Sequence, residues 1–295
     1  MATLYTHQAS NNAKTWALFG VFVVVVIGVG WLLSVYFDSP NVLYVAVIFS
    51  LVMNVAGYWW SDKLVLKMAR AKPAMRSGFF DLYTVTENLS IAAGLPMPKL
   101  YVIEDMALNA FATGRDRKHS AVAVTTGLLA CLERNELEGV IAHELAHIGN
   151  RDMLLSTAAV VLVGFVSIAS DMILRSGLHG RSNRDSRAGG LLMLGVFIAG
   201  LLAPLVASLL HLAISRRREY LADATGALLT RYPEGLASAL EKISVSVVPL
   251  KTANSATAHL YIANPFGGAT KRFTGLLATH PPVAERIRLL REMSL

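Results

Sequence analysis

At the start of this chain the apolar positions run in unbroken blocks instead of alternating with polar ones. Trp16 to Phe37, WALFGVFVVVVIGVGWLLSVYF, carries no charge. At about 1.5 Å per residue, one helix of that length crosses a hydrocarbon core about 30 Å thick. Asp38-Ser39-Pro40-Asn41 interrupts the block, and Val42 to Trp60 forms a second one that ends on Trp59 and Trp60, residue types of an interfacial aromatic belt. The pair predicts a transmembrane hairpin over 16–60. A secretory signal peptide is the rival reading, but the first block exceeds an h-region of about 7–15 residues. Only Lys14 precedes it as a positive charge. A retained helix is expected.

Two further apolar blocks follow, Met153 to Ser170 and Gly189 to Ile214, the second containing Pro204. They predict a second hydrophobic hairpin over 153–214, transmembrane or partly inserted, with full crossing favoured. Elsewhere the pattern shortens. Residues 68–98 read as mainly helical up to the Gly94-Leu95-Pro96 turn, and Lys99–Val102 and Ala121–Val124 as strands. Leu137, Val140, Ile141 and Leu145 recur at helical spacing, with Gly149 and Asn150 as stop signals. The polar part, 62–152 and 215–295, is therefore one helix-rich domain with a small sheet, interrupted by the second hairpin.

Composition supports a bilayer protein. Hydrophobic residues make up 54% and charged residues 16%, against about 25% charge in an ordinary soluble domain. The formal charge is +7, which on its own suggests nucleic acid. Lys63, Lys67, Arg70, Lys72 and Arg76 instead flank the first hairpin, where they face anionic headgroups or fix topology. No nucleic-acid partner is expected. The connector 38–41 has no Lys or Arg, so the positive-inside tendency puts the N-terminus and the region after 61 in the cytoplasm. Four arginines between 175 and 187 oppose that rule if the second hairpin crosses fully. Either arrangement leaves 62–152 and 215–295 on one side. The single cysteine, Cys131, forms no internal disulfide and reads as a buried or half-buried spectator thiol.

The chemistry concentrates at His143-Glu144-Leu145-Ala146-His147, an H-E-x-x-H sequence. Two histidines four apart on a helix share a face and reach one cation, while the glutamate beside the first reaches a metal-bound water and takes its proton. Such a zinc site needs a third protein ligand. Glu219 and Asp223, also four apart in SRRREYLADATGALL, supply a ligand and an acceptor for the far nitrogen of a ligand histidine. Asn150 and Met153 stand where a metzincin would have glycine and its last histidine, so His-His-Glu coordination is preferred.

Paired N-terminal apolar helices, HELAH at 143–147, RRREYLADATGA at 216–227 and THPP at 279–282 together resemble the HtpX family of membrane zinc endopeptidases, bacterial relatives of the Ste24 CAAX proteases. The resemblance implies an α-helical membrane protein carrying an α+β zincin-like (gluzincin) domain. It implies one zinc held by His143, His147 and Glu219, Glu144 as the catalytic residue, and Asp223 behind a ligand. It also implies that Asn109-Ala110-Phe111-Ala112-Thr113 forms an edge strand for substrate, which fits peptide binding by β-augmentation. His280 and Arg286 match an HPP-x-x-x-R pattern and are candidates for oxyanion or substrate contact, or for holding the fold. The implied role is quality control of misfolded or damaged membrane proteins in the bacterial inner membrane, with a stress connection and the protease domain facing the cytoplasm. CAAX-type processing is the alternative enzyme reading, and a membrane scaffold the non-enzyme one.

Overall fold

Two long apolar helices lead the chain in the computed structural model, which describes residues 4–162, 215–254, 257–267 and 281–293. Helix α1 covers Leu4–Tyr36 and α2 Pro40–Trp59, with Pro40 at the helix start, where it has no amide hydrogen to lose. Both are long and apolar enough to cross a membrane. Trp31, Tyr44, Val45, Ile48 and Val52 stand exposed along them, so this is not the buried helix of a soluble core. Four hydrophobic helices were expected. Among the described residues two such spans exist, and the expected second hairpin lies outside them past residue 162.

After α3 (Ser61–Met68) the chain leaves the helix over residues 69–79, a break within a stretch that is otherwise helical up to Gly94 as expected. Lys72–Pro73 forms strand β1 at the sheet edge, because proline lacks the amide that a helix or a central strand needs. Helix α4, Phe80–Ala93, then ends on Gly94 in a left-handed conformation, φ 63°.

Strands β2 (Lys99–Ile103), β3 (Ala110–Asp116) and β4 (His119–Thr125) complete a four-stranded sheet in the order β1-β2-β4-β3. β2 and β4 run parallel with Lys99 opposite Ala121, and β3 closes antiparallel on β4 with Phe111 opposite Ala123. Strand β3 is thus an edge strand. Its residues divide by the period of two. Ala110 and Ala112 face the main core under the helices, while Phe111 faces a second cluster with Val65 and Tyr261.

Short α5 (Thr126–Cys131) leads into α6 (Arg134–Asn150). Cys131 is exposed rather than buried, since it ends α5 at the surface. Helix α6 begins in a capping box: Glu133 caps the first turn and the Glu136 carboxylate accepts from the Glu133 amide at 2.8 Å. Burial pushes Glu136 up, but hydrogen bonds from Lys242, Ser238 and the Glu133 amide outweigh it and hold the carboxyl below its ordinary value. Leu137, Val140, Ile141, Leu145 and Ile148 are all buried, and α6 is the central helix of the domain. Around it lie α4, β3, α8 (Arg216–Thr230) and α9 (Pro233–Val245). Helix α7, Asp152–Leu162, follows α6 directly, and α10, Val283–Arg291, packs on α9.

Candidate active site

Helix α6 carries the H-E-x-x-H residues on its buried middle. His143 and Glu144 are 1% and 2% exposed. One turn apart on the same face, the two imidazoles meet edge-on, with His143 Nε2 and His147 Nε2 3.2 Å apart. Helix α8 crosses α6 here. Gly226 permits the approach, because a Cβ at that position would lie 3.0 Å from the His143 amide nitrogen. The crossing brings Glu219 to the histidines: Oε1 lies 3.5 Å from His147 Nε2 and Oε2 3.9 Å from His143 Nε2. One ligand atom from each of the three residues falls within 4.8 Å of the others.

Each imidazole has a carboxylate behind it. Asp223, one turn after Glu219, places Oδ1 2.9 Å from His143 Nδ1, off the axis of the N–H. Asp152 places Oδ2 3.1 Å from His147 Nδ1. Asp152 is close because Arg151 adopts a left-handed conformation, φ 58°, and turns the chain back at the end of α6. With the protons drawn to the two Nδ1 atoms, both Nε2 lone pairs point into one gap. Lone pairs facing at 3.2 Å repel unless a cation or a proton lies between them. The donor set therefore fits a divalent metal of the zinc type, two nitrogens and a carboxylate.

The charge state of the metal-free cluster reflects the same crowding. For His147, burial works against the cation, but Asp152, Glu219 and Glu144 outweigh it and raise the imidazole to about 9. His143 is held below its ordinary value by burial, despite Asp223. Burial raises the Glu144 carboxyl to about 7. The Ala112 amide on β3 is near enough to offset part of that rise, and Ala112 and Glu144 line the same cavity. A cavity of about 40 Å³ opens here, lined by Ala112, Glu144 and both histidines together with His259 to Ile262.

Of the sequence-derived candidates, His143, Glu144, His147, Glu219 and Asp223 lie together. Ala110, Phe111, Ala112 and Thr113 form the adjoining strand with buried side chains, so only their backbone edge faces the cleft. Part of that edge is already engaged, since the Ile262 amide donates to the Ala110 carbonyl at 2.9 Å. Asn109 is bound to the chain itself: its Nδ2 donates to the Ala263 carbonyl at 3.0 Å and its Oδ1 accepts from Ala110 and Ala263. Arg286 is 0% exposed and grips Asp223 with two hydrogen bonds of 2.8 and 2.7 Å, donating also to the Ile262 carbonyl. It stands behind the cluster. His280 lies outside the described residues.

Two participants escaped the sequence reading. Asp152 is one. The other is Asn11 of α1, whose Nδ2 donates to Asp152 Oδ1 at 2.6 Å and to the Asn150 carbonyl at 3.1 Å. The only signal in the sequence was a polar pair, Asn11-Asn12, just ahead of an apolar block.

The profile of Peptidase family M48 matches residues 79–294. Over 99% of both chains, the sequence is 44% identical to a protein named Protease HtpX homolog from Caldanaerobacter subterraneus subsp. tengcongensis. It is 46% identical to another of that name from Dictyoglomus thermophilum, over 99% of this chain and 95% of that one. A crystal structure of S. mikatae Ste24p aligns with a TM-score of 0.51 at 19% identity, covering 97% of this chain and 66% of that one, a likeness of fold alone. Matched over most of its length by the family profile and over nearly all of it by such relatives, the chain belongs to peptidase family M48 and, within it, to the HtpX metalloproteases.

Proposed function

We propose that the protein is a membrane-embedded zinc endopeptidase that cleaves unfolded or damaged membrane proteins. The observation that carries this reading is the convergence of His143, His147 and Glu219 within 4.8 Å, with Glu144 buried beside them. Those three residues would hold the metal and leave a fourth position for water. When bound, zinc makes that water acidic near neutral pH and polarises the scissile carbonyl.

Glu144 is the base. It takes a proton from the water and returns it to the leaving amine. Ala112 lines the cavity beside that carboxylate, so the substrate-binding edge and the base share one cleft. An extended peptide aligns along the backbone of 110–113 and brings its carbonyl to the cluster. Asn109 sets the start of that edge through Ala263. Asp223 and Asp152 hold the two imidazoles by their Nδ1 atoms. Arg286, buried against Asp223, acts as a positioning residue rather than a substrate contact. In the membrane, α1 and α2 form the first hairpin and 153–214 the second, with 62–152 and 215–295 together on the cytoplasmic side.

The test is Glu144→Gln in the purified full-length protein. Metal content stays at one per chain while cleavage of an unfolded protein falls about 100- to 10,000-fold. Wild-type turnover by that variant overturns the assignment.

A further inference from the structure

Sharing no lining residue with the His143, His147 and Glu219 cavity, a groove of about 570 Å³ runs between the end of α2 and one end of the sheet. Its two walls differ in character. One is the exposed flank of α2, where Val55 and Trp59 continue the apolar stripe of Ile48 and Val52 at spacings of a single helix face. The other is basic. Lys99 opens β2, while Arg115 and Lys118 sit at the β3–β4 turn, and Lys63 of α3 closes the groove. Asp62 is the carboxylate on the wall.

Of the four cations, only Arg115 is engaged by neighbouring side chains among the described residues. Arg115 lies over the Trp59 ring at 4.5 Å and touches Asp116 at 3.5 Å. Lys63, Lys99 and Lys118 are exposed, and among the described residues none has a carboxylate within ion-pair distance. A soluble anion gains nothing from the apolar wall. A neutral lipid gains nothing from the cations. An amphiphile with an anionic head matches both, and the groove begins where α2 reaches its Trp59-Trp60 end.

We propose that this groove binds the headgroup of an anionic phospholipid, with Lys63, Lys99, Arg115 and Lys118 around the phosphate and the acyl chains lying along Val55 and Val52. The site fastens one end of the sheet to the membrane surface. Strand β3 runs from there to Ala112 at the cleft, so lipid and substrate would grip two ends of one strand.

The experiment is native mass spectrometry of the full-length protein taken from an equal mixture of phosphatidylglycerol and phosphatidylcholine. The wild type retains phosphatidylglycerol in preference. K99Q/K118Q lowers that preference about tenfold, and K67Q/R70Q, which removes the same charge outside the groove, changes it less than about twofold. K99R/K118R restores it. All these side chains are exposed, so the unfolding midpoint should not move. Equal losses in the two glutamine variants would assign retention to general leaflet charge and overturn the site. Displacement of the lipid by glycerol 3-phosphate or by a polyglutamate peptide would assign the groove to a soluble anion or an acidic segment, overturning it as well. As a check that leaves the basic wall intact, brominated phosphatidylglycerol should quench Trp59, kept as the sole tryptophan by replacing Trp16, Trp31 and Trp60 with Phe, more than brominated phosphatidylcholine does. Equal quenching counts against the site.

Discussion

Asn11 and Asp152 are 141 residues apart in sequence and 2.6 Å apart in space. Through this bond the first apolar helix reaches the carboxylate behind His147. Asp152→Ala removes the imidazole's partner and should lower zinc affinity about 10- to 100-fold. Asn11→Ala should lower it less, because Asp152 keeps the nearby Arg218 Nε at 3.8 Å. Competition against a zinc chelator ranks the two variants. Equal affinity of Asn11→Ala and wild type would separate α1 from the site.

Arg286 and Asp223 form a buried bidentate pair, and removing one partner leaves the other buried with weaker compensation, Asp223 from His143 at 2.9 Å and Arg286 from Glu219 at 3.8 Å. Arg286→Ala should destabilise the fold by about 3–5 kcal/mol. Arg286→Met together with Asp223→Leu should recover most of that loss but not zinc affinity, since His143 then lacks its carboxylate. Chemical denaturation and metal content, measured on the same samples, distinguish the two effects.

Metal binding should depend on pH with a defined sign. In the metal-free protein His147 is raised to about 9, so at neutral pH zinc must displace a proton from it. Affinity therefore rises with pH, about tenfold per unit for one displaced proton, until pH approaches 9. Calorimetry in buffers of different ionisation enthalpy counts that proton. Stability of the metal-free chain runs the other way. Its share from His147 is complete below the unfolded value of 6.5 and is lost as pH rises through about 9, and Glu144 adds a loss up to about 7. Over pH 6.5–9 the metal-free unfolding midpoint should fall.

Gly226 sits where α8 crosses α6 at His143. Gly226→Ala forces a methyl group to within 3.0 Å of backbone, and overpacking of this kind costs about 1–3 kcal/mol. Because the displaced helix carries Glu219, zinc content should fall together with the unfolding midpoint. A loss of stability with unchanged zinc content would place the strain elsewhere.

What could be read from the sequence was whatever repeats locally. His143 with His147, and Glu219 with Asp223, are pairs four apart on one helix, so their shared faces followed from helical periodicity alone. The strands at 99–102 and 121–124 stood out for a similar reason. Asp152 did not, because its approach to His147 passes through a left-handed turn at Arg151 that no periodic pattern encodes. The long-range partners of Asn11, Asn109 and Arg286 are set by tertiary packing across 24 to 154 residues. The helix expected before Gly94 is present, and the break ahead of it holds a two-residue edge strand at Lys72–Pro73, where proline suits an edge.

The Ile262 amide already holds the Ala110 carbonyl, so the cleft edge of β3 is in part completed by the protein's own chain. On the proposed binding mode, a guest polypeptide must fit into the remainder, and only a stretch loose enough to lie flat and unpaired can do so. Helices and closed sheets have no such stretch to offer. Discrimination between damaged and intact clients would then begin with backbone availability, before any preference for the residues flanking the cut.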